Sequence, residues 1–425
     1  MGKSVFFEKS VLIIFIITLS TGALRKWVFT SLNTGNIILL IQLILPFFIS
    51  VNYKGISLPG KQNIIKFYIL YLLISAINPL NLTIYHGILG IIQYLGFWWL
   101  ISFYYENRQS INFRPLIPWI IILCSFEFIL GIVQYQFPSD HILNKYASIH
   151  ELGSGSSVAI VGDAVRITGT FSYISGFGSF LIFAMFFIWG LVRLGYKKQI
   201  VAFLLSGALI TTLMTGSRTS VLIAFTFLIL MFTSDSPIST IIGFLKSLLI
   251  PLSFLFLFFL LKGSVGTENL IEKAFFNFEH RRIENAQSGE QNQRILSDFR
   301  ELTIEYRGKY PFLGVGLGAT YQGATSVFGV SDYVKEYGDY ENELPRIVLE
   351  AGFIMLFFRI VLFIWLFSWL EINWSAKIIF FFLFVYGLPI VFNIYNSIFL
   401  ALGLIFLDNI SIHRRLTGSI KYDNN

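Results

Sequence analysis

The stretch Ile200–Phe232 reads IVAFLLSGALITTLMTGSRTSVLIAFTFLILMF, two apolar runs separated by Thr215-Gly216-Ser217-Arg218-Thr219-Ser220. The break puts a permanently charged guanidinium where the chain enters or leaves hydrocarbon. A charge at that position costs a few kcal/mol on insertion scales, so such residues usually have a partner or a task. Glycine and four hydroxyl residues around Arg218 make a small polar notch suited to an anion. Arginine meets phosphate as a planar fork.

Apolar runs of this kind recur along all 425 residues. Hydrophobic residues make up 55% and charged residues 13% of the chain, against about 25% charged in a soluble protein. Mean hydropathy is +0.70. Runs near the length that crosses a bilayer as a helix predict an all-α, polytopic integral membrane protein with about twelve spans. Their expected ranges are 10–24, 35–51, 63–78, 84–105, 115–136, 171–193, 199–215, 219–233, 238–261, 345–370, 376–392 and 394–411. The first run lacks a small-residue cleavage pattern and reads as a span, not a signal peptide. The single cysteine, Cys124, lies inside an apolar run and has no intrachain partner. A net charge of +7 marks cytoplasmic loops in such a chain, not nucleic-acid binding.

With about twelve spans, the lysines and arginines of the short loops fall on one side. Lys3, Lys9, Lys54, Lys61, Arg108, Arg114, Arg193, Lys197, Lys198, Lys377, Arg414, Arg415 and Lys421 define it as cytoplasmic, with both termini inside. The expected units are a bundle over 1–261 with an outer loop at 137–170, a large extracytoplasmic loop over 262–344, and three spans with a cytoplasmic tail over 345–425. Within the large loop, Glu268 to Arg282 and Asn292 to Arg307 carry apolar residues on one face, predicting short amphipathic helices.

Positive residues that break the inside rule single out candidates: Arg25 and Lys26, Arg166, and Arg218 beside Ser217. Each has an ordinary alternative. Arg218 can snorkel to headgroups, Arg25-Lys26 can anchor an interface, Arg166 can be a loop residue, and Arg294 can pair with Asp298 at i, i+4. Gly314-Val315-Gly316-Leu317-Gly318 follows no strand. It reads as a re-entrant turn with close backbone approach, not a dinucleotide loop. Glu341, Glu343 and Glu350 bracket Pro345 and Arg346 at the start of the span 345–370. That places Glu350 deeper than Glu343, and Arg359 deeper still, as a buried ion pair or an anchor. No zinc pattern and no Asp-x-Asp pattern is present.

Taken in order, these motifs resemble the bacterial O-antigen polymerases and O-antigen ligases. They are Gly22-Ala23-Leu24-Arg25-Lys26-Trp27, Asn78-Pro79, Gln134-Tyr135-x-x-Pro138, Arg166-x-x-Gly169-Thr170-Phe171-Ser172-Tyr173, Gly216-Ser217-Arg218-Thr219-Ser220, Pro311-Phe312-Leu313-Gly314-x-Gly316-x-Gly318, and Glu341-Asn342-Glu343-x-x-Arg346 leading into Glu350-x-Gly352. The resemblance implies a C-type membrane glycosyltransferase of the bacterial cytoplasmic membrane. It would invert configuration, need no metal or other cofactor, and use a polyprenyl-diphosphate-linked glycan donor and a glycan acceptor on the outer face. A chain-length regulator is a possible partner of such enzymes. Ligases commonly carry a His-Asn pair where this chain has Glu341-Asn342, which favours a polymerase.

The residues fit that chemistry on their own terms. A leaving diphosphate needs cations, with Arg218, Arg25 and Arg294 as first candidates and Lys26, Arg166, Ser217 and Arg346 behind them. An attacking hydroxyl needs a base, with Glu341, Glu343 and Glu350 as candidates. Gly314, Gly316, Gly318 and Asn342 are candidate substrate contacts. The rival class is a transporter, which predicts internal repeats and broken helices with charge near the midplane; no fixed-period repeat is present. A scaffold or channel would not need this arginine set.

Overall fold

The computed structural model describes residues 3–51, 63–147, 160–161, 164–232, 311–337, 343–384 and 389–422. The helices are α1 (Lys3–Ala23), α2 (Leu32–Ile44), α3 (Asn63–Ala76), α4 (Ile84–Asn107), α5 (Ile117–Gln136), α6 (Ile174–Arg193), α7 (Lys198–Met214), α8 (Arg218–Phe232), α9 (Gln322–Phe328), α10 (Asp332–Tyr337), α11 (Glu343–Trp369), α12 (Trp374–Phe382) and α13 (Ile394–Tyr422). The sole strand pairing among the described residues joins Ile160–Val161 to Ala164–Val165. Of the expected spans, 376–392 is helical only in its first half, 238–261 lies outside the described residues, as do the expected amphipathic helices near 268–282 and 292–307, and the others fall on helices.

Six of these segments are long and apolar enough to cross a bilayer, and four shorter apolar helices accompany them. Their exposed sides are apolar. Trp119, Ile122, Phe126 and Ile129 on α5, and Phe353, Phe357, Ile360 and Ile364 on α11, stand at helical spacing and face outward. Exposed apolar stripes of that kind face lipid.

Helix α6 is buried nearly all round, the mark of a central helix. It packs most extensively on α13. Small residues let the two approach: an added Cβ on Gly190 would meet Ile410 at 2.7 Å, and one on Gly403 would meet Phe186 at 3.1 Å. Phe171, Phe180 and Phe399 interlock beside Tyr395.

Both termini of α6 and α13 mark the two ends of the bundle. At one end, Asp408 accepts from the Tyr104 hydroxyl at 2.9 Å and from the Glu371 amide. Nearby, Asn409 accepts from the Phe113 amide at 3.1 Å and donates to the Ile111 carbonyl at 2.8 Å, and Glu8 accepts from the Asn112 amide at 3.0 Å. The other end holds Arg25, Thr170–Ser172, Tyr395 and the glycine-rich turn.

Helix α11 is not one straight span. Gly352 has φ 69° and ψ −178°, a conformation open essentially to glycine alone. Glu343 forms an ion pair with Arg359, sixteen positions on. A continuous helix would separate them by about 24 Å. The half-helix 343–351 therefore folds back along 353–369. The carbonyls freed at the break are met from outside: Val315 donates to Leu349 at 2.8 Å, Gly316 to Glu350 at 2.9 Å, and the Tyr71 hydroxyl to Ala351 at 2.6 Å.

Candidate functional site: a buried cation cluster at one end of the bundle

Helix α1 carries the run Thr18-Leu19-Ser20-Thr21, in which each hydroxyl bonds back to a carbonyl of the preceding turn. Such back-bonding loosens a helix. One turn later the chain widens into a π-turn, Leu24–Val28, closed by the Phe29 amide on the Leu24 carbonyl at 2.6 Å. π-Turns recur at functional sites because the extra residue re-aims side chains. Here Arg25 and Lys26 turn inward and are 5% and 3% exposed. Gly22 lets α1 reach the facing segment: a Cβ there would stand 2.4 Å from the Thr170 carbonyl and the Ser172 amide.

That segment, Arg166–Ser172, is held rigidly. Gln134 accepts from the Thr168 and Gly169 amides at 3.2 and 2.7 Å and donates to the Gly169 carbonyl at 2.9 Å. Glu127, fully buried in α5, accepts from the Thr170 hydroxyl at 2.5 Å and its amide at 3.1 Å. Gly169 takes φ 55° against this carboxylate. Lys26 donates to the Gly169 carbonyl at 2.7 Å and the Thr168 hydroxyl at 3.0 Å.

Arg25 differs from Lys26. One terminal nitrogen donates to the Ser172 hydroxyl at 3.0 Å, and its Nε is buried without a partner. No carboxylate pairs with it among the described residues. Three phenols, Tyr395, Tyr173 and Tyr321, lie within its electrostatic reach. Burial raises the Tyr321 phenol above its ordinary range and the guanidinium pulls it back. Burying a cation without a counter-charge costs several kcal/mol, so the fold holds an anion-seeking group ready.

Beside this cluster stands a carboxylate staple. Glu350, fully buried, accepts from the Gly318 amide at 3.1 Å, the Thr320 amide at 2.8 Å and the Thr320 hydroxyl at 2.6 Å. Arg346 donates to the Thr320 hydroxyl at 3.0 Å and carbonyl at 2.6 Å, and lies 4.0 Å from the centre of the Phe392 ring. Tyr321, the next residue, links this staple to Arg25.

Several expected residues therefore meet. Arg166 donates from Nε to the Thr215 carbonyl at 2.9 Å and lies against Gly216, whose φ is 61°. Ser217 caps α8 by accepting from the Ser220 amide at 3.3 Å, and Ser220 lies 3.4 Å from a Cβ added at Gly178 of α6. The backbone of Arg218 opens α8; its side chain lies outside the described atoms. Glu341, Asn342 and Arg294 also lie outside the described residues.

Other expectations change. Glu343 lies deeper than Glu350, the reverse of the sequence reading, because Gly352 turns the half-helix back. Its carboxylate is taken by Arg359 and by the Val391 amide at 3.0 Å, which makes it half of a buried ion pair and leaves no oxygen free for a base. Gly314, Gly316 and Gly318 do serve close backbone approach, with φ of 75°, 112° and 74°, but the space at each is filled by the chain itself: Glu350, Asn81 and His86. They are not open to a substrate. Residues 311–337, the described part of the loop expected over 262–344, pack on the bundle, with Asn78 and Asn81 donating to the Gly314 and Leu317 carbonyls at 2.8 and 2.9 Å.

Glu127, Tyr395 and Tyr321 were not candidates from sequence. Glu127 had a signal, a lone carboxylate in the apolar run ILCSFEFIL. The tyrosines had none among so many aromatics.

A scan against protein-family models finds no match for this chain. Searches of curated proteins and of solved structures likewise find no relative.

Proposed function

We propose that the protein is a polysaccharide polymerase of the O-antigen type. In this reading about twelve spans put both termini in the cytoplasm, and the Arg25 end faces the extracytoplasmic side of a bacterial cytoplasmic membrane. A hydroxyl of a new lipid-linked repeat unit attacks the anomeric carbon of the growing glycan held on polyprenyl diphosphate. The bond from that carbon to the diphosphate oxygen breaks, polyprenyl diphosphate leaves, and configuration inverts. The hydroxyl proton passes to a carboxylate of the acidic stretch 341–350; Glu343 and Glu350 both have their oxygens engaged within the fold, which leaves Glu341, outside the described residues, as the candidate base. Arg25, and by its position Arg218, would take the charge that grows on the diphosphate.

The observation that carries this reading is Arg25: a buried guanidinium with an orphan Nε, hydroxyls around it and no carboxylate among the described residues. The test is turnover of purified protein on a polyprenyl-diphosphate-linked repeat unit without added metal. A ladder of products that persists with chelator is the expected result. Arg218→Lys keeps charge but loses the fork, and should slow the reaction about a hundredfold. A reaction stopped by chelator alone contradicts the mechanism. In cells, loss of the gene should collapse the glycan ladder to one repeat unit. A full-length lipid-linked ladder left unattached would point to a ligase instead.

A second reading, a lipid or glycan transporter, is favoured by one observation: the broken helix α11 and its deep Glu343–Arg359 pair, features of transporter midplanes. Flux of lipid-linked glycan across proteoliposomes without bond formation would support it.

A further inference from the structure

An apolar groove of about 300 Å³ opens on the lipid-facing side between α2, α4 and α9. That volume is at the small end of ligand pockets. Its walls are Ile37, Leu40, Ile88, Leu89, Val327 and Phe328, and several of these side chains face outward. Helix α9 is pinned over it: Phe328 stacks on Tyr85 at 5.0 Å, and the Gly329 carbonyl meets His86 Nε2 at 3.1 Å.

Two lining residues join the groove to the cation cluster. Tyr321 forms part of the wall and lies within electrostatic reach of Arg25. Asn36 follows Gly35, whose added Cβ would stand 3.8 Å from the orphan Nε of Arg25. A larger furrow of about 470 Å³, lined by Phe67, Leu70, Ile74 and Phe358 among others, has no such end. No cation lines it among the described residues, and its Tyr71 hydroxyl is already donated to the Ala351 carbonyl. Of the two apolar clefts, one leads to the buried Arg25, and the other meets no buried cation among the described residues.

We propose that the groove is the lateral entry port for the lipid-linked donor and holds the first isoprene units of its prenyl chain, with the diphosphate seated on Arg25. This rests on the polymerase reading for the identity of the lipid. A single narrow groove ending in a guanidinium fits one chain bearing a diphosphate. A two-chain phospholipid would leave one chain outside and offer a single phosphodiester charge.

The test uses full-length protein in nanodiscs and two photoactivatable probes. One is a polyprenyl diphosphate with a diazirine on an isoprene unit near the diphosphate; the other is phosphatidylglycerol with a diazirine on an acyl chain. The prenyl probe should label α2 and α4 at the groove. Unlabelled polyprenyl diphosphate should displace it, and Arg25→Met should reduce labelling about tenfold. Phosphatidylglycerol should label groove and furrow alike, indifferent to Arg25→Met. Prenyl labelling that is equal at the furrow, or unchanged in Arg25→Met, overturns the proposal.

Filling the groove with Leu40→Trp and Ile88→Trp separates it from the polymerase reading, since both side chains face outward. The Michaelis constant for the lipid-linked donor should rise about tenfold. An unchanged constant in a protein that still polymerises removes the port and keeps the polymerase. Groove labelling without any glycosyl transfer keeps the port and removes the polymerase.

Discussion

Two buried arginines of this bundle live under opposite terms. Arg359, halfway along the bundle, has the Glu343 carboxylate, the Phe384 carbonyl at 2.7 Å and the face of the Phe384 ring at 4.4 Å. Arg25, at one end, has a single serine hydroxyl and phenols. The first is complete and serves the fold. The second is incomplete and costs the fold, which is the pattern of a group kept for something that arrives. At the other end the buried Asp408 carboxylate resembles Arg359, with the Tyr104 hydroxyl and the Glu371 amide as its donors.

Breaking the complete site should have the largest effect. Arg359→Met leaves Glu343 buried and uncompensated, which should cost about 3–5 kcal/mol. Thermal denaturation in detergent should show a large loss or no folded protein. The double variant with Glu343→Leu should recover most of it, because an apolar pair can replace a buried ion pair. No recovery would mean that the ion pair is not the latch of the folded-back half-helix.

Gly352→Ala comes next. An L-residue is strained at this φ, and its Cβ would stand 2.1 Å from the Phe312 carbonyl. A loss of about 2–3 kcal/mol or more is expected from strain alone, with release of the 311–318 turn visible as faster amide exchange at Val315 and Gly316. Wild-type stability would mean that α11 can run straight.

The smallest effect belongs to the closed end. Tyr104→Phe removes one buried hydrogen bond to Asp408 and should cost about 1–3 kcal/mol of stability. Turnover should change little, because no Arg25 contact is touched. A loss of activity without a loss of stability would tie the two ends together and weaken the comparison.

The long apolar helices were legible because lipid-facing helices write their apolar length directly into the chain. The break at Gly352 was not. Glycine within an apolar run is common in membrane helices, and only its partner turn at 311–318, far away in sequence, reveals the fold-back. For the same reason Glu343 and Glu350 were placed at reversed depths. Arg25 and Lys26 were legible as charges that break the expected inside rule, but not which of them lacks a carboxylate or carbonyl partner among the described residues. That depends on Gly169 and Thr168 reaching Lys26 first, a tertiary fact. Arg166 beside Gly216 joined two motifs that sequence could only set in order.

The central claim is that Arg25 is an anion site, and it is tested most directly by pairing stability with ligand response in one variant. Arg25→Met should melt at the same temperature as wild type or higher, since an uncompensated buried charge is gone. Added polyprenyl diphosphate should raise the melting temperature of wild type and leave the variant unmoved; transfer from the lipid-linked donor should fall about a hundredfold. A variant that melts well below wild type, yet is still stabilised by polyprenyl diphosphate, would show that Arg25 serves the fold and that the anion binds elsewhere.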